Sequence, residues 1–269
     1  MAIPFVPEGA DLTEEILQKQ EEKFMTILDE LMEKAVEFNV TMRVIGSIAF
    51  RIKAPEYKHI QYQNQRYLTD VDFVTYSKHI TRVQDMFFSL GWTENQNVLR
   101  LFGDKRRIFY HPKEDIHSDI FIDKLRFCHP INFKKRLELD YPTISLIDLL
   151  LEKLQIVEIN KKDLVDVMLL IRKFPISHQP QKDSINIEHL AKICAKNWGW
   201  WKTATINLDK VLDFSASYLE EDDAKIVDER INTIIDAIQN KRKTISWSLR
   251  NLIGEKMKWY NEVEEVQRD

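Results

Sequence analysis

The stretch Leu68-Thr69-Asp70-Val71-Asp72-Phe73-Val74 carries two carboxylates at a spacing of two. Residues two apart on a strand share a face, and Asp is disfavoured in strands, so the pair points one way against its own repulsion. A divalent cation relieves that repulsion, and magnesium takes carboxylate oxygens together with substrate phosphates. The same spacing also suits a solvated face at the start of a strand. A second acidic stretch, His117-Ser118-Asp119-Ile120-Phe121-Ile122-Asp123, puts residues 117, 119, 121 and 123 on one face if extended. With the two strands side by side, Asp119 adds a third carboxylate. Asp70, Asp72 and Asp119 would then hold two magnesium ions, the arrangement that stabilises the attacking and leaving oxygens of an in-line phosphoryl displacement. Asp123 suits either this face or a cap on the following turn, and His117 suits either the metal's surroundings or simple exposure.

A triphosphate also needs a docking surface. Gly46-Ser47 falls where a strand gives way to a helix, so glycine admits close backbone approach and the helix start attracts phosphate oxygens. A plain strand-to-helix turn has the same composition. In Asp148-Leu149-Leu150-Leu151-Glu152-Lys153-Leu154-Gln155, Lys153 is the one cation of an apolar and acidic helix, suited to meet a phosphate as a point charge. Asp163 and Asp166 lie three apart on the next helix. A solvated face with local ion pairs is the preferred reading of Asp163, and the helix dipole accounts for Asp148.

Together these motifs resemble the DNA polymerase beta-like nucleotidyltransferase superfamily, which pairs a Gly-Ser helix start with an acidic strand and a third acid on a neighbouring strand. The matching residues are Gly46, Ser47, Asp70, Asp72 and Asp119. Lys153 and Asn160-Lys161-Lys162-Asp163-Leu164-Val165-Asp166 look like the K-x-x-A and K-D-x-x-D motifs of the AbiEii-like group. The likeness spans about residues 40 to 172. It implies a magnesium-dependent transferase with nucleotide binding on Lys153 and catalysis on Asp166. It further implies NTP as substrate, two magnesium ions, a toxin or antiphage role, and an antitoxin or other protein partner. The acceptor hydroxyl is left open among an RNA end, a protein and a small molecule. The chain departs from the family in a longer spacer between Ser47 and Asp70, where 53–67 suits a flap or substrate loop, and in Gln155-Ile156, where a small residue is usual. A catalytically weak, nucleotide-binding sensor or partner-binding module of the same fold is the alternative.

The elements that must carry these residues are legible as periods. Asp11 and Glu14 have capping-box spacing, and apolar residues from Ile16 to Phe38 follow at helical intervals. Strands are expected at 41–45, 71–76, 98–102, 107–111 and 116–122, with a helix at 80–90 closed by Gly91. After Pro142 the period turns to 3.6, giving helices near 147–157, 164–171, 187–195, 211–219, 224–238 and 247–263. The expected fold is α+β: a nucleotidyltransferase-type mixed β-sheet with flanking helices, then an all-helical C-terminal domain. The expected divisions are 1–142, 143–174 packed on it, and 185–269.

The 269 residues, 44% hydrophobic and 30% charged with 6 Gly and 8 Pro, exclude collagen-like and disordered classes. A formal charge of -4 supplies no global pull toward nucleic acid. A basic stretch at 241–258, with Trp247 and Trp259 nearby, suits RNA phosphates with stacking, or a solvated helix pair. Trp198, Trp200 and Trp201 suit base stacking or a packed junction. Cys128 and Cys194 make no disulfide framework, and no leader or membrane-length apolar run is evident, so a cytoplasmic protein without a membrane partner is expected.

Overall fold

The computed structural model describes residues 12–64 and 67–263. The chain is mixed α+β and divides into two compact units; among the described residues, one comprises 12–125 with 132–145, the other 126–131 with 146–263. Residues 146–174, expected in an intermediate segment, therefore cluster with the C-terminal helices.

The first unit begins with α1 (Glu14–Glu37). Its N-cap is Thr13, whose hydroxyl accepts from the Ile16 amide at 3.4 Å; Asp11 lies outside the described residues. Leu17, Phe24, Leu28, Leu31 and Ala35 form a buried stripe, which packs on α4 (Ile80–Ser89). Such a stripe removes apolar area from water along the whole helix, the main source of helix stability in proteins. The sheet contains β1 (Met42–Ile45), β2 (Asp72–Thr75), β3 (Thr93–Glu94), β4 (Arg106–Tyr110) and β5 (His117–Ile122), in the spatial order β1-β2-β5-β4-β3. Only β2 and β5 run parallel; the other neighbours are antiparallel.

The expected strand at 98–102 is instead helix α5 (Gln96–Phe102). Asn95 decides this locally: its side chain accepts from the Val98 amide at 2.9 Å and donates to the Tyr110 hydroxyl at 2.9 Å, satisfying one helix-start donor while fixing the turn to β4. The spacer after Ser47 is partly ordered helix. It holds a 3-10 turn at Pro55–Tyr57 and α3 (Lys58–Gln63), where buried Tyr62 donates to Glu21 on α1 at 2.6 Å.

The second unit is built from α6 (Leu146–Leu154), α7 (Lys161–Lys173), α8 (Ile187–Lys196), α9 (Trp198–Tyr218), α10 (Glu221–Asn240) and α11 (Ile245–Ile253). It is not all-helical as expected, because Ile176–Ser177 and Ile185–Asn186 pair as two short parallel strands between α7 and α8. Helix α9 starts well before the expected 211, because Asn197 caps it by accepting from the Trp200 amide at 3.1 Å. The helix expected to run to 263 stops at Ile253, where Gly254 at φ +59° breaks it. Two helix C-termini are closed by side chains from other helices. Buried Asn207 donates to the Leu154 and Ile156 carbonyls at 3.1 and 2.7 Å, and Arg230 donates to those of Ile171 and Arg172 at 2.7 Å. Helix α11 buries none of its residues and leaves Ile245, Leu249 and Leu252 exposed. Among the described residues no helix is long and apolar enough to cross a membrane.

His129 is sealed in this unit, with Nε2 2.8 Å from the Thr203 hydroxyl. Burial disfavours its charged form and pushes its pKa down to about 4 from an ordinary 6.5. The unfolded chain therefore binds a proton that the folded chain refuses between these values, so stability falls as pH drops from about 6.5 to about 4. The loss is expected to reach at most ~3 kcal/mol. Urea unfolding at pH 7 and pH 4.5 checks this: His129→Gln removes that part of the pH dependence, and an unchanged difference between the two pH values in the variant refutes it.

Candidate active site

The sheet register decides which acids meet. On the parallel pair, Phe73 lies opposite Ile120 and Thr75 opposite Ile122, so Asp72 falls beside Asp119. The Asp119 amide donates to Asp72 Oδ1 at 3.2 Å. One step toward the strand starts, Asp70 bridges to His117, and its Oδ2 lies 3.8 Å from His117 Nε2. Asp70, Asp72, His117 and Asp119 thus occupy one face at the same end of two adjacent strands. Asp123 does not join them: it turns to φ +59°, and its Oδ1 accepts from the Ser77 amide at 3.0 Å.

Gly46 reaches the Asp72 carboxylate from the other side, with Ser47 next to it in the chain. Ile45 pairs with Asp72 across β1 and β2, and the chain turns directly into α2 (Gly46–Lys53). Gly46 sits at φ +70°, and a Cβ there would lie 3.3 Å from Asp72 Oδ2. Only glycine adopts this conformation without strain and leaves the carboxylate its room. The positive end of the α2 dipole faces the acidic strand, and Ser47 is largely buried in its first turn. Gly46→Ala is therefore expected to cost about 1 to 2 kcal/mol in stability, from the left-handed backbone. Denaturant unfolding measures the effect; an unchanged stability refutes it.

In the second unit, Lys153 on α6 reaches two carboxylates on α7: Asp163 Oδ1 at 2.8 Å and Asp166 Oδ2 at 3.3 Å. All three are buried, Asp166 completely. Asp163, which the sequence allowed on a solvated face, is instead inside. Asn160 caps α7 by accepting from the Lys162 and Asp163 amides at 2.9 and 3.2 Å, which aims that first turn at Lys153.

No protein-family model, curated protein or solved structure matches this chain.

The donor chemistry at Asp72 and Asp119 fits a hard cation. Magnesium is commonly held by one or two carboxylates completed by substrate phosphates, in preference to a closed protein cage. Among the described residues no group of three His, Cys, Asp or Glu side chains is gathered closely enough to hold a metal ion by itself. The set fits a cation site that ligands from outside the protein would complete.

One residue escaped the sequence reading. Arg106, on β4, forms an ion pair with the Asp119 carboxylate and lies over the Phe121 ring at 5.3 Å. Asp119 faces Ile108 across β4 and β5, which places Arg106 on the same face, one diagonal step away. The signal in the sequence was the alternation of Arg106 with Ile108, but it names a partner only once the register of β4 against β5 is known. A similar pair, Arg107 with Glu94, is buried on the opposite face, and Gln84 donates to the same Glu94 at 2.7 Å.

Proposed function

We propose that the first unit is a nucleotidyltransferase of the DNA polymerase beta-like type, related to the AbiEii-like group, which moves a nucleoside monophosphate from an NTP to an acceptor hydroxyl. One observation supports this above the others: the parallel pairing of β2 and β5 sets Asp72 against Asp119 while Gly46 closes on the same carboxylate. Acids forced together beside a glycine-led helix start make a place where cation and phosphate neutralise each other.

In this reading the Gly46-Ser47 turn holds triphosphate oxygens through the helix start and the Ser47 hydroxyl. Asp70 and Asp72, with Asp119, would hold magnesium, which when bound supplies charge neutralisation at the attacking and leaving oxygens. Asp119 accepts the proton of the acceptor hydroxyl as its oxygen attacks the α-phosphorus. The bond to the β-phosphate oxygen breaks, and pyrophosphate leaves with that electron pair. Arg106 orients the Asp119 carboxylate beforehand through their ion pair, and must release it as the proton arrives. A toxin or antiphage role, and an antitoxin partner, follow from the resemblance alone.

The Arg106 ion pair also favours a second reading, in which Asp119 stays neutralised and the protein binds nucleotide without transferring it. Incubation with α-labelled NTPs, magnesium and total RNA separates the two. Label passed to RNA and lost with chelator supports the transferase; a melting shift with NTP and no label in RNA, protein or small acceptors supports the binding module.

A further inference from the structure

The helical unit contains a cavity of about 400 Å³, within the range of small-molecule sites. Three indoles line it, those of Trp198, Trp247 and Trp259, together with the cations Lys196, Arg250 and Lys258, and among the described residues no carboxylate lines it. Burial keeps the adjoining His129 neutral at physiological pH, so the positive charge comes from the lysines and the arginine.

The walls are built by close backbone contact. At Gly199, on α9, a Cβ would meet the Trp259 carbonyl oxygen at 2.4 Å, so only glycine lets the chain beyond α11 lie against that helix. Arg250 fixes this chain segment, donating to the Gly254 and Met257 carbonyls at 2.5 Å while lying 4.6 Å over the Trp198 ring. Trp247 contributes a buried Nε1 with no hydrogen-bond partner among the described residues, a donor whose desolvation is uncompensated. Lys196 and Lys258 are exposed; Lys258 pairs with the exposed Glu262, which an incoming anion would replace.

Flat apolar walls and a carboxylate-free cationic lining select a ligand that joins a planar aromatic ring to an anionic group. A bare phosphate leaves the indoles unused, and an acidic peptide offers no ring. We propose that this cavity binds a nucleoside monophosphate, free or as the terminal nucleotide of an RNA strand, with the base against the indoles and the phosphate drawn to Lys196 and Lys258. The inference rests on the transferase reading only in making that nucleotide the acceptor.

The test is tryptophan fluorescence, since five of the six tryptophans, at 198, 200, 201, 247 and 259, lie in this unit. Titrations use AMP, UMP and a five-nucleotide RNA, in chelator, on the full chain and on Asp72→Asn. Saturable quenching is expected in both proteins. RNA binding about tenfold tighter than AMP identifies the strand terminus as the ligand, and equal binding identifies the free nucleotide. Trp247→Leu is expected to weaken binding by about tenfold, the loss of one stacking contact. The exposed pair Lys196→Ala with Lys258→Ala leaves the fold intact, weakens binding at least about fivefold and flattens its salt dependence. No saturation up to about 5 mM, unchanged affinity in the lysine variant, or displacement by inorganic phosphate as effective as by AMP overturns the proposal. Binding without label transfer overturns the transferase reading alone, and transfer without this binding overturns the cavity alone.

Discussion

On the transferase reading, replacing Asp72 with Asn is expected to lower label transfer from NTP on the order of 10³-fold, as when a charged group acting directly on the reacting phosphate is neutralised. The substitution is nearly isosteric and keeps a side-chain oxygen to accept from the Asp119 amide, a bond of 3.2 Å in the wild type. Side-chain volume and this hydrogen bond are retained, so the expected signature is a melting temperature close to that of the wild type, with activity gone. Thermal melts and a label-transfer time course on the same preparation read both. A variant that keeps more than about a tenth of the wild-type rate contradicts a direct role for this carboxylate.

Lys153→Met has the opposite signature, a loss of stability of about 3 to 5 kcal/mol. Lys153 meets Asp163 and Asp166 at 2.8 and 3.3 Å with its own side chain almost fully buried. Methionine fills a similar volume, so packing is retained while the cation facing both carboxylates is withdrawn. Charges taken out of water are held there by their partners, and removing one partner is much more damaging than replacing the whole group by apolar residues. The double variant Lys153→Met with Asp166→Leu is accordingly expected to recover only part of the loss, since the Asp163 carboxylate stays buried without its cation. Urea unfolding of the three proteins decides it. A single-variant loss below about 1 kcal/mol, the scale of an exposed pair, shows that these charges interact as though solvated.

The acids on 70, 72 and 119 were visible in the sequence because alternation on a strand is a local property, and so was the Gly46-Ser47 turn. The pairing of β2 with β5 was not, since parallel register depends on residues distant in the chain. The counter-ion Arg106 was hidden for the same reason. The missed helix at Gln96–Phe102 is a different failure: Val98, Leu99 and Phe102 fit a helical stripe as well as a strand, and the Asn95 cap settles the choice. In the helical unit, periods found all six helices, but Asn197 and Gly254 moved two of the ends. The tryptophan and lysine cavity was legible only as composition, because its two sides come from chain segments about fifty residues apart.

Asp72 and Asp119 are 47 residues apart along the polypeptide and meet only when β5 slots in between β2 and β4. A nascent chain that has emerged only as far as β4 has every residue of the glycine turn and the acidic strand, but no partner for them. Such non-local pairings form late, after the loop-closure entropy has been overcome. On the proposed reading, chemical competence would therefore switch on only with completion of the sheet, and the ribosome-bound fragment would be inert.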